Sequence, residues 1–179
     1  MIEAEVQQEI GRAKNAVQEY LIRKLLLPKI YLDAEWNGSA VSLLAVDRGG
    51  SGDIHVANIT STRPHFVEPP LGHELTMVSD DPLDQPLGAL RNVPGHYRYL
   101  VVLVPGSRQK EYYAASKLQK ATIAEDGVGR VGILFADLST DTPVVKPIVK
   151  PERFRSSKEI MELADQYVAQ HTANWEVRE

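Results

Sequence analysis

No cysteine occurs in the chain, which excludes disulfides, thiolate metal sites and thiol nucleophiles. There is no excess of positive charge either. With 24 acidic against 20 basic side chains the formal charge is −4, which argues against a surface that grips nucleic acid as a whole and leaves only local basic patches to consider. No stretch approaches the roughly 20 apolar residues that span a bilayer. The opening MIEAEVQQEIGRAK is acidic and amphipathic, where a secretory signal would have a basic end and an apolar run. A soluble cytoplasmic protein with no membrane partner is expected. No repeat or low-complexity tract appears. What remains is 179 residues at 43% hydrophobic, enough for one well-packed domain and crowded for two. The expectation is a single domain over 1–179, with its core over about 6–138 and a basic linker and C-terminal helix over about 139–175.

The first element reads as a helix. Val6, Ile10, Ala13, Val17, Leu21 and Leu25 recur at spacings of three and four, and Pro28 ends the pattern. Tyr31 to Trp36 leads into Asn37-Gly38, and Ala40 to Asp47 resumes as an apolar, partly β-branched run, which is a hairpin signal. A second turn, Gly49-Gly50-Ser51-Gly52, leads into Asp53 to Ile59 and completes a three-stranded meander. Six prolines between Ser61 and Pro94 mark a long connection with at most a short helix near Leu87 to Asn92. Tyr97 to Val104 and Val131 to Asp137 are continuous apolar runs of strand length, as in strands buried on both faces. Glu111 to Glu125 between them reads as a helix stopped at Gly127. Ser156 or Ser157 caps a last helix whose apolar face is Ile160, Leu163, Ala164, Tyr167 and Val168. The fold class is therefore α/β with a mixed sheet in three layers.

That order of elements, with SAVSLLAVDRGGSGDIHVANIT in the meander and, more loosely, GVGRVGILFAD later, resembles the restriction-endonuclease-like superfamily, the PD-(D/E)xK nucleases. The resemblance covers roughly Val6 to Leu138. It implies a core of a helix, a three-stranded meander, a helix and further strands. It also implies a site where carboxylates hold Mg²⁺ to activate water and polarise a phosphodiester, with a lysine steadying charge. On the best register Ser42 stands at the family's Asp position, Asn58 at the second acid and Thr60 at the lysine. None of the three carries charge, so the resemblance implies a nuclease scaffold with a degenerate centre and no cofactor. The expected role is that of a binding or assembly protein, with a protein partner or a second copy of itself as a homodimer.

Other carboxylates offer an alternative. Asp33, Glu35, Asp47 and Asp53 crowd the same segment and would supply relocated ligands for Mg²⁺ in an active DNA nuclease. Against this, Asp47 and Asp53 flank a Gly-rich turn, where Asp commonly bonds local backbone, and Asp33 and Glu35 fit the wet face of an edge strand. Gly127, Gly129 and Gly132 match G-x-G-x-x-G, but they follow a helix and enter a strand, the reverse of a dinucleotide site. No P-loop, G-x-S-x-G or H-E-x-x-H is present. His55, His65, His73, His96 and His171 have no metal-ligand spacing, and only His55 lies in the meander beside the nuclease-like positions. One charge cluster stands out: Lys146, Lys150, Arg153, Arg155 and Lys158, opposed only by Glu152, could contact nucleic-acid phosphate. Pro147 and Pro151 make that segment extended.

Overall fold

The computed structural model describes residues 2–47, 52–60, 66–67, 76–77, 84–104, 106–109, 130–154 and 158–176. The chain begins with helix α1 (Ile2–Lys24), acidic at Glu3 and Glu5 in its first turn and basic at Arg23 and Lys24 in its last, each sign complementing the helix dipole. Ala13, Val17 and Leu21, from the apolar stripe, are buried. Strands β1 (Lys29–Trp36) and β2 (Ser39–Val46) pair antiparallel through Asn37 and Gly38, whose φ of 49° and 80° are those of a type I′ turn. Strand β3 (Ile54–Ile59) completes the meander against β2. A two-stranded pair, β4 (Phe66–Val67) and β5 (Thr76–Met77), stands apart from the main sheet. Helix α2 (Asp84–Arg91) lies in the segment read as a connection with a short helix.

Strand β6 (Tyr97–Leu103) returns parallel to β3, and β7 (Gly132–Asp137) parallel to β6. Both are buried almost throughout, in keeping with their unbroken apolar sequence. The helix expected at Glu111 to Glu125, its stop at Gly127, and Gly129 lie outside the described residues. The basic segment supplies something the sequence did not announce. Val144 to Val149 is strand β8, antiparallel to β7, with the pairing irregular between Ile133 and Leu134 where they meet Val149 and Pro147. Proline donates no ladder bond and is confined to edges and bulges, and β8 is an edge. Helix α3 (Lys158–Gln170) turns Ile160, Leu163, Tyr167 and Val168 to the core around buried Ala164, as expected. A two-residue strand, β9 (Trp175–Glu176), pairs with the outer edge of β1.

The seven-stranded mixed sheet runs β8, β7, β6, β3, β2, β1, β9, flanked by helices in a three-layer α/β arrangement. On one face Val17 and Leu21 of α1 pack with Leu43, Ala45, Ala57, Tyr99, Val101 and Leu134. On the other, Leu87 and Leu90 of α2 and Ala164 of α3 pack with Leu44, Val56, Leu100, Val102 and Phe135. No helix among the described residues is long and apolar enough to cross a membrane.

The outer strands change face partway along. In β1, Ile30 belongs to the α1 side, but Ala34 and Trp36 belong to the other; in β2, Leu43 and Ala45 lie on the α1 side, but Val41 does not. An unbroken strand would hold same-parity residues on one face. The switch occurs at Asp33, whose φ of 49° is in the left-handed region that Asp tolerates better than most residues, and at Ser42 opposite it.

Candidate functional site

Two of the three positions singled out in the sequence, Ser42 and Asn58, come together at this switch. Asn58 Oδ1 accepts the Ser42 backbone N–H at 2.9 Å, and Ser42 Oγ accepts the Ile59 N–H at 3.1 Å. The regular β2–β3 ladder ends one step earlier, at Leu43 and Ala57, so these side chains carry the sheet past the point where backbone pairing stops. Ser42 and Asn58 are thus adjacent across the β2–β3 boundary. Thr60 lies just beyond β3, is buried, and donates its backbone N–H to Val101 O at 3.0 Å. Removing the Asn58 amide leaves the Ser42 N–H without that acceptor. Asn58→Ala is expected to cost about 1–2 kcal/mol, read from the urea midpoint, with an unchanged m-value.

The alternative carboxylates take separate paths. Asp33 is exposed and pairs with Lys14 Nζ at 2.5 Å; Glu35 is exposed on β1. Asp47 and Asp53 are neighbours through a 2.9 Å bond from the Asp47 N–H to Asp53 O, yet the Asp53 carboxylate is engaged by an arginine. Among the described residues no group of three or more His, Asp or Glu side chains is placed to hold a metal ion.

A second, buried polar constellation was not foreseen as a unit. It forms where β3 and β6 begin side by side, His55 being in register with Tyr97. Asp53, His55, His96 and Arg98 are all buried there. Across them runs a strap, Lys150 to Phe154, between β8 and α3. The Glu152 N–H donates to Arg130 O at 3.0 Å, Arg130 Nε to Lys150 O at 3.0 Å, and the Phe154 N–H to His96 O at 2.7 Å. Arg153, named in the sequence as a phosphate contact, turns both Nε and Nη2 to Asp53 Oδ1, at 3.1 and 2.9 Å. Gly132 is required where the strap crosses β7, because a Cβ there would lie 2.8 Å from the ring of Pro151.

Electrostatics follow from burial. His96 Nδ1 accepts the Ile54 N–H at 2.8 Å, so the imidazole is neutral with its proton on Nε2. Burial lowers its pKa, Asp53 opposes the shift, and Arg153 and Arg98 add to it. Burial likewise pushes His55 down to about 4, against the pull of Asp53 and Asp47, with His96 adding to the fall. His55 stacks on Tyr97 at 4.8 Å between ring centroids and lies 3.2 Å from the Tyr99 hydroxyl through Nδ1. Arg98 has carbonyl partners: Nη1 donates to Arg91 O and, at 3.3 Å, to Leu90 O, and Nη2 to Gly95 O at 3.3 Å. Its guanidinium lies 3.8 Å from the Phe154 ring centroid, and burial lowers its pKa to about 10. The negative end of α2 thus does for this cation what a carboxylate otherwise would.

The remaining basic positions are dispersed. Lys146 and Lys150 are exposed on and just after β8, Lys158 is exposed at the start of α3, and Arg155 lies outside the described residues, as do His65 and His73. A groove of about 660 Å³ separates α1 from the start of β8, lined among others by Arg12, Tyr20, Lys24, Asp141, Val144 and Val145. Its Arg12 is occupied with Leu138 O and Thr140 O, at 3.2 and 2.8 Å. His171 sits at the end of α3, stacked on Tyr167 at 3.9 Å. No family model matches the chain, and no curated protein matches it.

Proposed function

We propose that the chain is a non-catalytic binding or assembly protein built on a nuclease-like scaffold. The observation that supports this reading most directly is the reciprocal bonding of Ser42 and Asn58 to each other's strands. Hydrolysis of a phosphodiester by a metal needs anionic ligands and a water between them. Here the two adjacent positions hold a hydroxyl and an amide, and both are spent on backbone groups. The carboxylates of the same segment are directed elsewhere, Asp33 to Lys14 and Asp53 to Arg153.

Calorimetric titration of Mg²⁺ and Mn²⁺, with a cleavage assay on single- and double-stranded DNA, tests the reading. Neither metal uptake nor cleavage is expected, and metal-dependent cleavage by the pure protein overturns it. The scaffold half of the proposal has its own test. Ser42→Asp combined with Asn58→Asp places two carboxylates where the native side chains already meet. The double variant is expected to be less stable than the native protein without metal, through like-charge repulsion, and to regain stability with millimolar Mg²⁺. Indifference of its melting temperature to Mg²⁺ counts against the nuclease-like register.

A further inference from the structure

The strap, the buried histidine beneath it and the ion pair that fastens it form one mechanical unit. His96 is 1% exposed, and its carbonyl receives the Phe154 N–H, so the strap lies directly on this residue. Its ring nitrogen Nδ1 is an acceptor to Ile54, and the nearest carboxylate oxygen, Asp53 Oδ1, stands 3.8 Å away. That same oxygen carries both bonds from Arg153. We propose that Lys150 to Phe154 is an acid-released latch: a proton on His96 Nδ1 ends its bond from Ile54, redirects the ring to Asp53 Oδ1, and displaces Arg153 and with it the strap.

The chemistry is a change of role at one atom. A neutral imidazole accepts at Nδ1; an imidazolium donates at both nitrogens. The Ile54 N–H then faces a donor, and the ring must find an acceptor. The charged groups around it are Asp53 ahead of β3, His55 on β3, Arg98 on β6 and Arg153 on the strap itself. Of these only Asp53 is anionic, and the two guanidiniums repel the new charge. Arg153 is the group able to leave, because its side chain is half-exposed and can rehydrate, whereas Arg98 is enclosed by carbonyls and Phe154. Released, the strap loses the Phe154 bond to His96 O, and Arg153 becomes available beside Lys150 to an anionic surface.

Hydrogen exchange of the wild-type protein, corrected for intrinsic rates and compared at about pH 7.5 and about pH 5, reads the latch directly. The Glu152 and Phe154 amides are expected to exchange about tenfold faster or more at the lower pH, while those of Ile133 to Ala136 in β7 keep their protection. In His96→Asn, whose Oδ1 can accept from Ile54 but cannot take up a proton, the strap is expected to stay protected at both values. Strap protection that does not change with pH in the wild type overturns the proposal, as does an equal loss in His96→Asn, which would place the trigger on Asp53. Should that variant fail to fold, the ¹⁵N shift of His96 Nδ1 in the wild type decides. Its titration midpoint must coincide with that of strap opening, and separate midpoints overturn the proposal.

Discussion

Trp36→Ala is expected to lower the unfolding free energy by about 3–5 kcal/mol, the range for deleting a buried aromatic ring. Trp36 is the largest side chain among those fully buried, 1% exposed at the end of β1. Three attachments make the site unable to collapse around a cavity. Its ring meets Tyr167 of α3 edge-on at 5.7 Å, and Tyr167 meets Tyr31 in the same way at 5.1 Å, so one aromatic row joins the helix to the strand. Its Nε1–H donates to Pro94 O at 2.7 Å, tying β1 to the turn that precedes β6. The third is its neighbours on the sheet, which are shared with the whole α2–α3 side of the core. Urea unfolding followed by far-ultraviolet circular dichroism measures the loss. Trp36→Phe keeps most of the ring and gives up the hydrogen bond, and is expected to cost about 1–3 kcal/mol, chiefly for the desolvated Pro94 carbonyl. Equal losses in the two variants would contradict this division between packing and hydrogen bonding.

Acidification is the second large effect. A histidine whose folded pKa lies below its unfolded value binds more protons in the unfolded chain between the two, so stability rises with pH across that window. For His55 the window runs from about 4, where burial puts the folded group, to the ordinary value of 6.5. Its contribution is complete above pH 6.5 and is lost progressively as pH falls toward 4. A shift of this size corresponds to on the order of 3 kcal/mol. His96 is shifted in the same direction and adds to the loss. Denaturant midpoints taken from pH 7.5 down to pH 4.5 are expected to fall steadily below about pH 6.5. In His55→Asn the slope should be clearly shallower, even though that variant starts from a lower stability because the Tyr99 hydroxyl loses its partner. A slope identical to that of the wild type would mean that His55 is not the group responsible.

Much of the architecture could be read from the residues because local chemistry and tertiary demand agree there. The stripe ending at Leu25, the Asn37-Gly38 turn, the apolar runs of β6 and β7 and the single face of α3 each follow from periodicity or from one conformational requirement. Strand β8 was hidden because Pro147 and the lysines around it argue for a loop. Only the position at a sheet edge, beside a pairing irregularity, makes that composition compatible with a strand. Strand β9 is two residues long, too short for any alternation to register. The face switch in β1 and β2 left Asp33 and Glu35 looking like the wet side of an ordinary strand. They are indeed exposed, but Asp33 is the residue whose left-handed backbone produces the switch.

Legibility at the candidate site was uneven for a related reason. Ser42 and Asn58 were each singled out because they sit on consecutive strands of one meander, but their bonds to each other's strands emerge only in the structure. Asp53 and Arg153 were each noticed, one as a turn acid and the other as part of a basic run, yet 100 positions separate them and nothing local links them. His96 was noted only for lacking metal-ligand spacing, and Arg98 was passed over inside the apolar run Tyr97 to Val104. Their burial comes from the strap and from α2, elements that meet them only in three dimensions.

The outer margin of β1 has a consequence for how this chain is made. Lys29 and Ile30 are covered by Glu176 and Trp175, and the Leu32 N–H is satisfied by Asn174 Oδ1, 142 positions downstream. The hairpin of β1 and β2 is complete in sequence soon after the ribosome passes Val46, yet its exposed rim stays open until almost all of the described chain has been synthesised. Throughout that interval the start of β1 lacks the partners that Asn174, Trp175 and Glu176 provide in the folded chain. The dangerous period for this protein is therefore its synthesis, and Asn174, Trp175 and Glu176 act as the closing stitch.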